Sequence, residues 1–283
     1  MYGSMCGHRR PSVTRAAAPL SRVARAGLRS TTLWCSACRS ESTSGAGVNT
    51  EVIRIDGATL RGSPAEFDRV VRQRRVPVVI EGLTEDWAAH ARWATRVQLV
   101  HHHGDVQISL RDTGAVSRSG GAFHSSNTVR LREFVERLDS SKSGSHSMLF
   151  STARDECWSR LSADYTVPSA LHNAVAQPIV SIGGTGGGLS FHQHEENWLA
   201  LIAGRKRWLL APPTGGPPQT AHRRVPEELQ PCHDGMLVVD QQPGQILYLP
   251  TGWWHCTYNY CAPADQEDPG GLTIAVRAHI ALS

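Results

Sequence analysis

From about residue 178 onward the apolar positions fall in short bursts separated by turn residues, and no stretch holds a helical period. The bursts predict eight strands: Ile179–Ile182, Ser190–His194, Asn197–Ala203, Arg207–Ala211, Met236–Val239, Ile246–Leu249, His255–Tyr258 and Thr273–Ile280. Turn signals stand between most of them. Eight short strands at this spacing fit an all-β core of the jelly-roll, double-stranded β-helix kind. Periodicity alone establishes a sandwich or barrel and nothing finer.

The preceding stretch mixes periods, which predicts helices and strands flanking the core. Ser63-Pro64-Ala65-Glu66 has the form of a capping box with proline at the first helical position, and Phe67, Val70 and Val71 supply an apolar face. Val76–Ile80 reads as a buried strand closed by Gly82, followed by a short helix from Thr84 carrying Trp87. Val106, Ile108 and Leu110 alternate as in a half-buried strand. Thr128 is placed to cap a helix with Leu131, Phe134, Val135 and Leu138 on one side. Ser117–Gly121 and Ser140–Ser147 are loops. His101-His102-His103 has no partner at ligand spacing and reads as a polar, mobile cluster.

Charge changes the picture at one end only. The formal charge of +4 suggests a basic protein, yet residues 1–40 hold seven arginines and no lysine or acid. Removing those seven from +4 leaves −3, so the remainder is mildly acidic and offers no basic nucleic-acid surface. Arg15, Arg22, Arg25 and Arg29 share a helical face in a segment rich in serine and poor in acids. That is the makeup of an organelle-targeting leader, mitochondrial or plastid, over residues 1–48, cleaved and disordered. The globular domain then covers residues 50–283, with the β-helix core at about 178–283. No apolar run is long enough to span a bilayer. Seven cysteines in 283 residues make no disulfide scaffold, and the Cys35/Cys38 pair lacks a second pair to complete a zinc site.

The chemistry-bearing residues sit on the predicted strands. Phe191-His192-Gln193-His194 sets two imidazoles two residues apart, hence on one face of a strand. Sixty-one residues beyond His194, the turn Pro250-Thr251-Gly252-Trp253-Trp254-His255 offers a third. A barrel can bring a strand end and a distant turn together, leaving ligands on one side and an open face on the other. Metal chemistry with O2 needs that arrangement. Two core histidines and an aromatic turn would explain the same residues, so His-x-His alone decides nothing. The run Gly183–Gly188 lacks the Gly-Lys-Ser/Thr of a phosphate loop and reads as a tight entry into the His192 strand and a flexible rim.

Gly244, Pro250, Gly252, His255 and Asn259 match the second cupin signature at every fixed position. Gly204-Arg205-Lys206-Arg207-Trp208, then Pro212-Pro213 and the Gly-Trp-Trp-His turn, resembles the JmjC-domain hydroxylases. So does Arg75-Val76-Pro77-Val78-Val79-Ile80-Glu81-Gly82 with Trp87 downstream. The resemblance covers roughly residues 50–283 and looks closest to a branch of small JmjC-only proteins with His-x-His spacing. It implies Fe(II), 2-oxoglutarate and O2, with succinate and CO2 as by-products of hydroxylation. On the family pattern His192 and His255 are iron ligands and Lys206 pairs with the distal carboxylate of 2-oxoglutarate; Asn197 falls where some relatives contact the cosubstrate. Strand parity agrees for Lys206, which shares a face with Trp208 and Leu210.

Two positions depart from the family. His194 stands where relatives carry Asp or Glu, which removes a negative charge from the ligand set; Glu196, of the same strand parity, is the alternative third ligand. Arg277, where relatives often place a small polar residue, shares a face with Thr273, Ala275 and His279 and could be a second carboxylate anchor. The leading expectation is an Fe(II)/2-oxoglutarate hydroxylase of a protein side chain. The alternatives are a catalytically silent JmjC-like binding protein, or a three-histidine cupin dioxygenase that does not use 2-oxoglutarate. A protein or small-molecule substrate is expected, with no nucleic-acid or membrane partner. Neither substrate nor oligomeric state is legible.

Overall fold

A computed structural model describes residues 51–60, 62–109, 128–139, 148–152, 156–172, 178–216, 218, 235–260 and 271–280. The leader, Cys35 and Cys38, Leu110 and the loops at 117–121 and 140–147 lie outside the described residues. Strand β1 (Ile53–Asp56) runs parallel to β2 (Val78–Glu81). Between them Ser63 caps helix α1 (Pro64–Val70), its side chain accepting from Glu66 N at 3.2 Å. The reciprocal half of the box is not made: Ser63 N donates to Leu60 O, and the Glu66 carboxylate pairs with Arg69.

Three local expectations change. The segment from Thr84 to Trp87 is a turn, because the Thr84 hydroxyl donates to Gly244 O at 3.2 Å instead of capping; the helix, α2 (Ala89–Arg92), starts later. Helix α3 (Arg96–His103) ends in the three histidines, and the last of them is no mobile surface group. His103 is buried, with its Nε2 2.6 Å from Asp164 Oδ2. Strand β3 (Gln107–Ser109) pairs antiparallel with β4 (Thr128–Arg130), so Thr128 sits in a strand rather than at a cap. Helix α4 (Leu131–Asp139) follows directly and buries Leu131, Phe134, Val135 and Leu138, as their period requires. Strand β5 (Met148–Ser151) and helix α5 (Glu156–Leu161) complete the flanking layer.

The core strands are β6 (Ile179–Gly183), β7 (Gly188–His192), β8 (Asn197–Ala203), β9 (Arg205–Ala211), β10 (Leu237–Gln241), β11 (Ile246–Leu249), β12 (Trp254–Tyr260) and β13 (Thr273–His279). All eight predicted strands are present. The larger sheet runs β1-β2-β11-β8-β13-β6-β5, and the smaller one β10-β9-β12-β7. Strands β6, β8, β11 and β13 thus interleave along the chain with β7, β9, β10 and β12, and every core pairing is antiparallel. This is the expected double-stranded β-helix, an all-β core with flanking N-terminal helices and strands.

Period-two alternation gives the larger sheet two different faces. Trp198, Ala200, Ile202, Ile274, Val276 and Ala278 point outward and pack with Trp87, Trp93 and Leu131 beneath the helices. Leu199, Leu201, Ala275, Trp208, Leu210, Leu247 and Leu249 face the barrel interior. Each fully buried aliphatic side chain stabilises the fold by about 1.5–3 kcal/mol. The outer core is the more extensive of the two, so the interior can give positions to polar groups.

Candidate active site

His192 is the last residue of β7 and pairs in register with His255 on β12, their rings 4.2 Å apart. The close approach depends on Gly188: a Cβ there would run into the Thr257 carbonyl of β12. The turn that delivers His255 passes through Gly252 at φ 79°, a left-handed conformation that favours glycine. The glycine run ahead of β7 is pinned to β12 rather than free. Asn259 N donates to Gly187 O at 2.7 Å, and Gly186 N to Asn259 O at 2.9 Å.

His194 reaches the same place by a different route from the one strand parity predicts. The chain leaves the smaller sheet after His192 and enters the larger one at Asn197, so residues 193–196 form a link between sheets. The link brings His194 to the other two imidazoles and turns Glu196 away. The Glu196 carboxylate is buried among outer-core residues, accepting from Arg72 Nε at 2.9 Å, from Arg72 Nη2 at 2.7 Å and from the Tyr248 hydroxyl. Glu196 is therefore not an alternative third ligand in this arrangement; its parity argument fails because the strand ends before it.

The ligand-capable nitrogens of His192, His194 and His255 all lie within 4.8 Å of one another. Each ring has Nδ1 against a backbone carbonyl: Ser190 O at 2.7 Å, Glu195 O at 2.7 Å and Trp253 O at 2.9 Å respectively. With the Nδ1 proton donated there, each Nε2 keeps its lone pair, which is how protein frameworks orient imidazole toward a metal. Burial pulls all three pKa values down, His194 to about 4 and His255 well below the ordinary range. The triad is neutral at physiological pH, as metal ligation requires.

The second feature of the interior is unmatched positive charge. Lys206 on β9 is buried on the face of Trp208 and Leu210, as parity predicts, and its Nζ donates to Asn259 Oδ1 at 2.5 Å. Burial first, and Arg277 second, push its pKa down to about 7. Arg277 on β13 has a buried Nε without a hydrogen-bond partner, and its guanidinium stands 5.6 Å from the Phe150 ring. Burial lowers it to about 10, which leaves it charged. Among the described residues no carboxylate pairs with either cation. The field of Arg277 also depresses His192, His194, His255 and Lys206, so these groups form one electrostatic unit. Buried charges without a counter-ion are costly unless something else supplies it. The donor set suits a divalent metal together with an anionic ligand.

Asn197, buried at the start of β8, lies beside His194, and its amide nitrogen donates at 3.4 Å to Glu195 O, the carbonyl that His194 Nδ1 also meets. Two further residues were not assigned from the sequence. Asn259 holds Lys206, and its position four residues after His255, on the same strand face, was the available signal. His279 places its ring 4.7 Å from that of His194, and its shared face with Arg277 pointed there.

Two interleaved antiparallel sheets with histidines converging from a strand end, a link and a turn define a cupin-type barrel. Residues 64–277 match the family model described as a cupin-like domain, and the chain belongs to that family, in its JmjC branch. It is 25% identical over 255 residues to the bifunctional arginine demethylase and lysyl-hydroxylase psr-1 of Caenorhabditis elegans, covering 74% of this chain and 61% of that one. It is 27% identical over 235 residues to JmjC domain-containing protein 8 of Homo sapiens, covering 72% and 86%. With the lysine-specific demethylase JMJ21 of Arabidopsis thaliana it shares 27% over 217 residues, 22% of that protein's length. The chain thus spans about 61% of the psr-1 protein it matches.

Proposed function

We propose that this protein is an Fe(II)- and 2-oxoglutarate-dependent hydroxylase of a protein side chain. The observation that carries the reading is the joint presence, in one barrel, of three oriented neutral imidazoles and two basic side chains, buried Lys206 and half-buried Arg277, that have no carboxylate partner among the described residues. His192, His194 and His255 would hold the metal. Lys206, supported by Asn259, and Arg277 would receive the distal carboxylate of 2-oxoglutarate, with Asn197 steadying His194. The metal with its cosubstrate supplies the oxidising chemistry: 2-oxoglutarate is oxidised to succinate and CO2, and one oxygen atom of O2 is transferred to the substrate. A protein substrate is supported by the names of the relatives, which include arginine demethylases and a lysyl-hydroxylase.

The test is anaerobic metal analysis with a titration of 2-oxoglutarate, on the wild type and on His192→Ala, His194→Ala and His255→Ala. The expected result is one metal per chain in the wild type and loss of stoichiometric metal in each folded variant. Full occupancy in any variant removes that residue from the ligand set. A three-histidine dioxygenase independent of 2-oxoglutarate has one observation in its favour, the absence of a carboxylate from the triad. It leaves Lys206 and Arg277 unexplained, and metal binding without any 2-oxoglutarate binding would select it. A wild type that takes up no metal would instead indicate a binding protein. We further propose that residues 1–48 direct the chain to a mitochondrion or plastid; a reporter fusion that stays diffuse in the cytosol would refute this.

A further inference from the structure

His192 and His255 stand on paired strands, where the ladder fixes them. His194 does not: it sits in the link 193–196, which belongs to neither sheet. Backbone ties hold the link at three points. Gly252 N donates to His194 O at 3.0 Å, Glu196 N to the Thr251 hydroxyl at 3.2 Å, and Ile280 N to Glu196 O at 2.8 Å. Among the described residues the one charged anchor is the buried Glu196 side chain, gripped by Arg72 through two guanidinium nitrogens and by the Tyr248 hydroxyl. Arg72 belongs to the short 3-10 turn after α1, outside the barrel, and its guanidinium also reaches Asp68 at 3.3 Å.

We infer that Arg72, Glu196 and Tyr248 are positioning residues for His194. They fix the link from the outer face of the sheet, so that the placement of one imidazole depends on a charge pair two residues further along the chain. The carboxylate at position 196 acts through His194 and touches no ligand itself. Sites of this kind tolerate only about 0.5 Å of displacement before affinity falls. A link freed from its anchor therefore loses His194 selectively and leaves His192 and His255 in place. The inference rests on the metal reading of the triad.

The experiment is a double-mutant cycle on metal affinity in the full chain. Zinc, competed against chelators of graded strength, serves as the probe, because imidazole sites hold it more tightly than iron(II) and it has no redox chemistry. Glu196→Gln and Arg72→Met are each made in the wild type and in His194→Ala, with folding checked by circular dichroism. Each should weaken zinc by about 10-fold in the wild type, the lower end for a residue that orients a ligand. Each should change it by less than about twofold in His194→Ala, where there is no imidazole left to position. Tyr248→Phe removes a single hydroxyl and repeats the cycle if Arg72→Met does not fold. Equal losses in both backgrounds, or no loss in either, would overturn the inference while leaving the triad intact. Abolition of binding by Glu196→Gln in His194→Ala would overturn it too, by making Glu196 a ligand. A wild type that binds no zinc sinks the metal reading itself, and this inference with it.

Discussion

In the helical layer outside the larger sheet, Asp164 is met by Arg92, by Trp93 Nε1 at 2.8 Å and by His103 Nε2 at 2.6 Å, while Glu196 is met by Arg72 and Tyr248. Inside the barrel Lys206 is just as deeply buried and Arg277 is half-buried with its Nε enclosed, and no acid is paired to either among the described residues. Burial pushes the Asp164 carboxyl up, but the bonds from Trp93, His103 and Arg92 outweigh it and hold the pKa below the ordinary value. Among the described residues Lys206 has a neutral amide as its hydrogen-bond partner, and burial, with Arg277 nearby, lowers its pKa to about 7. The outer face completes its charges within the chain and is structural. The inner face holds basic groups without an acid among the described residues, the kind of perturbed cluster that marks a candidate site.

The largest effect that would break this contrast is at Asp164. Removing one partner of a buried, paired group costs about 3–5 kcal/mol, because the others are left uncompensated. Asp164→Ala should lose that much in urea unfolding, while the folded fraction keeps its metal stoichiometry. A loss under about 1 kcal/mol would mean the outer cluster is no better satisfied than the inner one.

Next in size is the cosubstrate anchor. A hydrogen-bonded, desolvated charge pair contributes about 1.5–3 kcal/mol, or roughly 10- to 100-fold in affinity. Lys206→Ala should weaken 2-oxoglutarate by that factor in calorimetry with the metal retained. An unchanged dissociation constant there, beside a large loss in Arg277→Ala, transfers the role to Arg277.

How much of this was legible beforehand differs between the two faces for a physical reason. The eight strands could be read because period-two alternation is local, and Lys206 could be placed inside because Trp208 and Leu210 share its parity. The triad was legible through the His-x-His and Gly-Trp-Trp-His wording. What failed was parity carried one step too far: the strand stops at His192, so His194 and Glu196 part company across the link. His103 was misread because its partner, Asp164, lies 61 residues away and no local pattern announces the pair. That Lys206 has no acid beside it among the described residues could not be read at all, since it depends on what β12 and β13 bring opposite it.

The last effect is spread over about three pH units, so it is the smallest at any one step, and it sharpens the contrast by pH. Lys206 titrates near 10.4 in an unfolded chain and at about 7 here, because burial and Arg277 disfavour its charged form. A group with a depressed folded pKa contributes stability that is fully present above the unfolded value and lost as pH falls toward the folded one. The ligand-free protein should therefore lose on the order of 1 kcal/mol per pH unit from this residue as pH drops from about 10 to 7, with little further loss below. Lys206→Met keeps the buried volume and removes the charge, so the difference between variant and wild type isolates the term. The variant should be the more stable at pH 7.5, by about 2–3 kcal/mol, and the gap should close by pH 10. Saturating 2-oxoglutarate should shrink the gap in the wild type's favour, because a bound carboxylate restores the ammonium's pKa. Asp164→Ala offers the control, since it retains Lys206 and should lie below the wild type by a constant amount between pH 7 and 10. Parallel stability curves for wild type and Lys206→Met across that range would show that Lys206 is already neutralised within the fold, and the inner face would then be as self-contained as the outer.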